Sequence, residues 1–482
     1  MGPATAGTDR PTRPQLEVGP VALADETCAL RKDLDISLRR GKQEHRLALR
    51  KDDGASLRNV VQAKGSTPVP ELVECVWEGG GYGSRRDRKP FAFQAFLPDR
   101  IGEWDEPLSG RAAEAVAQAT AAMGELQRAG TAHDLETLAA PLLRAEALGS
   151  SFIEGLRASN KRLALAAYEP VAADGTARAV LGNLRAMERA IALVDEGRPF
   201  QLDDLLDIHR VLLEGTSEDR FAGVVRAEQN WIGGRGTSPA DAAFVPPPPD
   251  RVPALLDDLV RFVNLDDLPA VAQAAIAHAQ IETIHPFGDG NGRAGRCLIH
   301  VILRRRGLSP LVAAPVSVIL AAHGRRYVAG LVDFREGRTD DWIGAFADAL
   351  TASAAAAQRL WAQIDDLLDG LVERAGSPRA DSVARQIILG LPAQPVVSAE
   401  VAAVRYDVTP TAARAALNRL EGCEVLVPTR VGRRRGREWI SDELFQVLDA
   451  FEHDVGRPAE GDRPRPTPAP TRPPRKRPSG TA

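Results

Sequence analysis

AHAQIETIHPFGDGNGRAGRCLIHVILRRRGL (277–308) is the stretch from which the rest of the chain can be read. Its first part completes AVAQAAIAHAQIETI, which is apolar on every side, the pattern of a helix buried all round. Its last part, CLIHVILRRRG, is again apolar. It closes with Arg304, Arg305 and Arg306 before Gly307, so cations stand at the negative end of a helix dipole and glycine ends it. Between two core helices lies HPFGDGNGRAGR (285–296). A glycine-rich turn that feeds a helix N-terminus offers free backbone N–H groups to an anion. Arg293 and Arg296 are three apart and share one face of that first turn. Guanidinium matches phosphate oxygens in bidentate fashion. Asp289 can hold Mg²⁺ against bound phosphates, and His285, at the mouth of the loop, can take a proton near neutral pH. The constellation points to phosphoryl or nucleotidyl transfer from a Mg-bound nucleotide.

Outward from this centre the chain is helical. The 482 residues suggest roughly three domains. GRAAEAVAQATAAMGELQRA, ETLAAPLLRAEALGSSFIEGLRASNKRLALAAY and AVLGNLRAMERAIALVDEG are built from strong helix formers. The fold class expected is mainly α: an all-helical core with a short β-hairpin, then a small winged-helix module, with disordered termini. The boundaries read as an arm over 1–88, a helical region over 89–200, a core over 201–365, the module over 380–452 and a tail over 457–482. The arm alternates charge runs with loop residues and keeps no period, so it reads as unstructured, or as an extension upstream of a protein that begins near Phe91. FAGVVRAEQNWIGGRGTSPADAAFVPPPPDRV (221–252), with Gly233, Gly234 and Gly236 and then Pro246 to Pro249, reads as a loop with a short hairpin.

The module reads as helix, helix, helix, wing. SVARQIILGL is the first helix. Ser398 caps the second, and Thr409 with Pro410 opens a third that closes at Gly422. VLVPTRVGRRRGREWI alternates like two short strands. Arg414, Arg419, Arg430, Arg433, Arg434, Arg435 and Arg437 make it a candidate for DNA backbone contact; the same fold also serves dimerisation or docking. The tail has eight prolines, seven Lys or Arg and two acids and reads as disordered.

The composition excludes several classes. Net charge is −4, too mild for a molecule that binds nucleic acid with its whole surface. The longest apolar run is too short for a bilayer, and the first residues lack a signal core. Cys28, Cys75, Cys297 and Cys423 are scattered, against a disulfide scaffold or cysteine zinc site. The expectation is a cytoplasmic protein with no membrane partner. His278 and His300, on the core helices, read as satisfied core histidines.

HPFGDGNGRAGR matches in full the HxFx(D/E)GNGRxxR signature of the Fic (Fido) family, largely AMP transferases that modify protein hydroxyls. The wider resemblance covers roughly residues 91–450. It implies that His285 is the base for the incoming Ser, Thr or Tyr hydroxyl and that Phe287 anchors the loop. It gives Mg²⁺ to Asp289, the α-phosphate to the amides around Gly290, Asn291 and Gly292, and the outer phosphates of ATP to Arg293 and Arg296. SSFIEG (150–155) fits the family's inhibitory pattern (S/T)xxxE(G/N). That implies Ser150 and Glu154 form an inhibitory segment in which Glu154 pairs with Arg296 in place of the γ-phosphate. RAEQNWIGG and FVPPPP resemble the family's flap, with Ile232 and Gly233 on the nucleotide side and an extended target segment pairing along it. In HGRRYVAGL, Tyr327 stands where the family often has an aromatic near adenine; Val328 replaces a second one.

The function expected is thus an autoinhibited protein adenylyltransferase using ATP and Mg²⁺. The alternatives are removal of AMP, transfer of another nucleotide or phosphate moiety, and a DNA-binding regulator with a nucleotide-sensing core. A homo-oligomer is compatible with all of them.

Overall fold

The computed structural model describes residues 71–80, 84–130, 135–169, 174–233, 238–429 and 437–455. It opens with an antiparallel pair, β1 (Glu71–Trp77) and β2 (Phe91–Leu97), in register from Glu71 against Leu97 to Trp77 against Phe91. Helices follow: α1 (Gly110–Gly130), α2 (Leu135–Ile153), α3 (Asn160–Tyr168), α4 (Gly175–Asp195), α5 (Leu202–Leu213), α6 (Val252–Val263), α7 (Ala270–Ile284), α8 (Asn291–Arg305), α9 (Val316–Ala322), α10 (Gly324–Arg335) and α11 (Thr339–Arg374). The C-terminal part has α12 (Val383–Gly390), β3 (Val396–Ser398), α13 (Ala399–Arg405), α14 (Pro410–Gly422), β4 (Val427–Thr429), β5 (Glu438–Ile440) and α15 (Asp442–Val455). Among the described residues no helix is long and apolar enough to cross a membrane.

The mainly helical class holds. α7 and α8 are the centre, as their sequence demands: thirteen of the fifteen residues of each are buried. Their close approach depends on Gly295, where a Cβ would lie 2.9 Å from Ile281 Cγ2 and 3.2 Å from His278 Nδ1. Around them pack α1, α2, α4, α5, α6, α9, α10 and α11, whose inward faces join one continuous apolar core. His278 and His300 are buried there as expected, but only one ring nitrogen of each is hydrogen-bonded; the Nδ1 atoms have no partner among the described residues. His300 Nε2 pairs with the fully buried Glu146 at 2.9 Å, and His278 Nε2 meets the Tyr327 hydroxyl at 2.9 Å.

Two expectations need correction. The arm over 1–88 is not structureless throughout. Cys75 of β1 and Ala95 of β2 are buried, and pairing Glu71–Trp77 with FAFQAFL gives those aromatic residues a sheet. The helical region expected from residue 89 therefore begins with a strand; residues 1–70 lie outside the described residues. The C-terminal part has the expected helices with the expected caps, Ser398 and Thr409 each accepting from the N3 amide, and Ser382 caps the first in the same way. It also has two elements the sequence reading lacked. β3 joins β5 and β4 in an antiparallel sheet of order β3–β5–β4, and α15 returns to the core. Arg430, Arg433, Arg434 and Arg435, and the tail over 457–482, lie outside the described residues.

Candidate active site

α7 ends at Ile284, and the chain turns at His285, whose φ of 49° and ψ of 59° are left-handed. That conformation is costly for a residue with a Cβ and is held here from both sides. The His285 amide donates to Ile281 O at 2.8 Å. Its carbonyl accepts from Arg226 Nε at 2.8 Å and Asn230 Nδ2 at 3.2 Å. Arg226 is itself buried and also donates to Glu228 O and Pro247 O. Burial, then the Arg226 guanidinium, push the His285 imidazole down to about 4, so at neutral pH it is uncharged and able to accept a proton.

The loop beyond is pinned by its own side chains. Phe287 is fully buried and stacks on His209, centroids 3.7 Å apart. His209 Nδ1 accepts from the Gly223 amide at 3.1 Å, which leaves the proton on Nε2 to be donated to Asp289 O at 2.8 Å. Burial pushes this imidazole to about 4 as well. Asn291 Oδ1 accepts from the Phe287 amide and its Nδ2 donates to Phe287 O. The Asn291 side chain is therefore committed to the loop, and only its backbone is offered to an anion.

An anion seat lies at the head of α8. Its N-cap is Gly290, at φ 77°, and no side chain caps the helix. Arg293 is 4% exposed, and its Nε and Nη1 have no hydrogen-bond partner among the described residues. Asp289 Oδ2 is 3.9 Å from its Nη2. Buried, unpaired guanidinium donors are costly to keep, so this pair is built for an incoming acceptor. Arg296 has no exposed surface and is fully engaged: Nε donates to Ser150 Oγ and Nη2 to Ser150 O, both at 2.9 Å, and Nη2 to Glu154 Oε1 at 2.7 Å. Ser150 is on α2, and Glu154 is in the turn that ends it. A Cβ on Gly292 would lie 2.1 Å from Glu154 Oε1. The glycine thus lets this carboxylate rest directly on the first turn of α8, where an anion is favoured. Burial alone would raise the Glu154 carboxyl; the Arg296 guanidinium outweighs it and holds it below the usual range.

Tyr327 stands in the core beside Arg296. It is 6% exposed, stacked on His278 and packed near Trp342. Its hydroxyl is 2.9 Å from His278 Nε2 and 3.4 Å from both Arg296 Nη1 and Glu282 Oε1. The ring is nearly buried, with its hydroxyl turned to Arg296, and it lines a small surface cavity together with Ile319, His323 and Trp342.

Five participants escaped the sequence reading: Arg226, Asn230, His209, Glu282 and Arg335. Glu282 Oε1 is 3.8 Å from Arg296 Nη1, so Arg296 has acids on two sides. Burial lifts Glu282 to about 7 against the pull of Arg296, and Glu154 adds to the rise. Its spacing of three from His285, one helical turn back, was the available signal.

Ile232 bridges Phe244, giving the short hairpin expected, and Gly233 follows at φ 75° where a Cβ would strike Ala243 Cβ at 2.9 Å. Gly234 and Gly236 lie outside the described residues. Asp289, partly exposed, is the carboxylate that the loop itself brings to the head of α8, beside the Glu154 carboxylate supplied from the turn after α2. A single carboxylate suits Mg²⁺ completed by substrate phosphates and water, and does not suit an all-protein cage. Among the described residues no cluster of three His, Cys, Asp or Glu could hold a metal alone.

Residues 199–303 match the Fic/DOC family and residues 113–192 the Fic/DOC family N-terminal region. The chain is similar to Protein adenylyltransferase fic-1 of Caenorhabditis briggsae, 34% identical over 146 residues, 30% of this chain and 27% of that one. It is similar also to Protein adenylyltransferase Fic of Culex quinquefasciatus, 31% identical over 173 residues, 35% and 31% of the two chains. It thus spans only about three-tenths of the length of these curated relatives. Among solved structures, a Fic family protein from Desulfovibrio desulfuricans G20 aligns with a TM-score of 0.44 at 19% identity, over 70% of this chain and 97% of that one. Fic-1 (aa134–508) from C. elegans aligns at 0.41 and 21%, over 52% and 74%.

Proposed function

We propose, from the match of residues 199–303 to the Fic/DOC family, that the chain is an autoinhibited protein adenylyltransferase. The observation that carries the reading is the anion seat at the head of α8, with Arg293 and Arg296 converging beside a neutral His285 and the chain's own Glu154 carboxylate lying in it. In the active state Glu154 leaves and the phosphates of ATP take its place. His285 takes the proton of a protein Ser, Thr or Tyr hydroxyl. That oxygen attacks the α-phosphorus in line, the bond from the α-phosphorus to the α–β bridging oxygen breaks, and pyrophosphate departs with the electron pair. Mg²⁺ held by Asp289 would neutralise phosphate charge when bound. The amides of Gly290, Asn291 and Gly292 and the two arginines do the same work from the protein side, so catalysis is positioning and charge stabilisation around one base. Ile232 and Gly233 line the nucleotide side of the flap, along which the target segment lies.

The segment 383–440 we read as a winged helix. Its described arginines favour an architectural use over DNA contact. Arg419 donates to Ala375 O at the end of α11, Arg437 pairs with Glu421, and Arg414 is 3.4 Å from Glu400.

The test is covalent transfer from Mg²⁺ and ATP labelled on the α-phosphate. Glu154→Gly is expected to raise labelling at least tenfold over the native chain, and His285→Ala, placed in the Glu154→Gly chain, to abolish it while nucleotide still binds. Labelling that ignores Glu154 would remove the inhibitory role, and labelling that survives without His285 would remove the base.

A further inference from the structure

The β1–β2 hairpin is not used by the mechanism above, yet its contacts converge on the flap. Phe96 of β2 donates its amide to Val245 O at 2.9 Å, which extends the pairing of β1 and β2 to the flap's second arm. The Phe96 ring meets the Phe244 ring, centroids 5.6 Å apart. Trp77 at the end of β1 meets Trp231 of the flap's first arm edge to face at 5.7 Å. At the hairpin's turn, Ser238 Oγ donates to Asp87 and Arg86 is 2.9 Å from Asp241. Both arms of the flap are therefore held, Trp231 by β1 and Phe244–Val245 by β2. Ile232 exchanges backbone hydrogen bonds with Ala243 and Phe244 between these two points.

Phe244 has a second partner. The Arg335 guanidinium, at the end of α10, lies 4.0 Å from the Phe244 ring centroid. Its Nε donates to Leu331 O, so the stack starts from a fixed stem. Arg335 also acts electrostatically on Glu282 and His285. A planar cation on an aromatic ring that also meets a second aromatic ring is attracted by the ring's negative face, more strongly where water is excluded. The exposed Arg86–Asp241 pair contributes little.

We propose that Phe96, Phe244 and Arg335 form a clamp by which the β1–β2 hairpin fixes the flap over His285, and that Phe96 and Arg335 are positioning residues for the protein substrate. An added strand needs a rigid partner edge, because the entropy lost in ordering that edge opposes binding. The clamp supplies the order in advance. Its Phe96 member acts on the acceptor side: among the described residues Phe96 and Phe244 make no hydrogen bond or ring contact with Arg293, Arg296 or Glu154, whereas Arg335 also acts on Glu282 and His285. This inference rests on the adenylyltransferase reading for its consequence, and on geometry alone for the clamp.

The experiment uses the full chain. Backbone hydrogen exchange is followed over 229–245 and, as reference, 277–300, in native, Phe96→Ala, Phe96→Tyr and Arg335→Met chains. The expected result is at least tenfold faster exchange over 229–245 in Phe96→Ala and Arg335→Met, with the α7–α8 reference unchanged and Phe96→Tyr, which keeps the ring, near native. In the Glu154→Gly background, binding of Mg-ATP is expected to stay within twofold on Phe96→Ala. Transfer of label to a second copy carrying His285→Ala is expected to fall at least fivefold and to recover in Phe96→Tyr. Native exchange of the flap in both Phe96→Ala and Arg335→Met would overturn the clamp, and a loosened flap with undiminished transfer would overturn its positioning role. If Glu154→Gly transfers no label at all, the functional reading fails, and flap exchange still decides the clamp.

Discussion

Arg296 has Glu154 at 2.7 Å on one side and Glu282 at 3.8 Å on the other, and the two carboxyls are perturbed in opposite directions. Glu154 has the short bond and stays ionised. Glu282 is left with burial as its dominant influence and rises from 4.5 to about 7. In the folded chain it keeps a proton that the unfolded chain loses above 4.5. Its contribution to stability is therefore complete below 4.5 and drains away as pH rises to 7, by about 3 kcal/mol at most. The buried histidines work at the other limb. His209 and His285 titrate at about 4 and His278 at about 3, against 6.5 when unfolded. Their contribution is complete above 6.5 and is lost as pH falls through 4. Thermal unfolding of the native chain is expected to show a falling Tm from pH 6.5 towards 4. Glu282→Gln is expected to gain on the native chain between pH 5 and pH 8, because glutamine has no proton to lose. A Tm difference that stays flat across that range would mean that Glu282 is ionised throughout.

The flap and the catalytic loop come from segments about sixty residues apart, and Arg226 is the joint between them. One side chain reaches the carbonyls of Glu228 and Pro247 in the flap and of Ile284 and His285 in the loop. A lysine there keeps the charge but lacks the planar fork. Arg226→Lys in the Glu154→Gly background is expected to lower kcat at least tenfold through a relaxed His285 turn, with Mg-ATP affinity within a fewfold of the parent. A kcat left intact by this change would show that the left-handed turn is held by Asn230 and the helix alone. The same joint shows what a sequence can disclose. His285, Asp289, Arg293 and Arg296 lie within twelve consecutive residues, where spacing sets geometry, so the seat is legible in the order of its residues. Arg226, His209 and Arg335 reach it from other elements, and nothing in their local sequence sets them apart from ordinary arginines and a histidine. The caps at Ser398 and Thr409 are legible for the local reason. The partner of FAFQAFL is not, because a strand's register is fixed by what it pairs with; ELVECVW follows a long charged stretch and lacks strict alternation. The surroundings of Tyr327 are not legible either, because its neighbours His278, Glu282 and Arg296 belong to two other helices.

The C-terminal module is fastened to the very part of the chain that carries Glu154, the carboxylate proposed as inhibitory. Arg144 of α2 donates to the carbonyls of Pro392 and Ala393. At the other end of the turn that holds Glu154, α3 begins with the buried Asn160, whose Nδ2 donates to Asp449 Oδ1 at 3.0 Å and Glu452 Oε1 at 2.8 Å of α15. Lys161 is 2.8 Å from Asp442 at the start of the same helix. Residues 155–159 are thus strung between Arg296 in the site and α15 on the module. α11, 36 residues and about 54 Å long, supports both halves and carries Arg374 to Glu443 of α15. If this second attachment helps to keep Glu154 on Arg296, weakening it should raise the proposed transfer activity. Asn160→Ala removes the amide between two carboxylates, one of them, Glu452, already lifted to about 8 by burial, at a cost of about 1–3 kcal/mol. Label transfer is expected to rise several-fold in the native background. It is expected to be unchanged by Asn160→Ala once Glu154 is glycine, the non-additivity of two changes acting through one contact. A rise of equal size in both backgrounds would mean that α15 acts on catalysis by a route that bypasses Glu154. No rise in the native background, with the expected loss of Tm, would make the module a structural support and leave the release of Glu154 to the nucleotide alone.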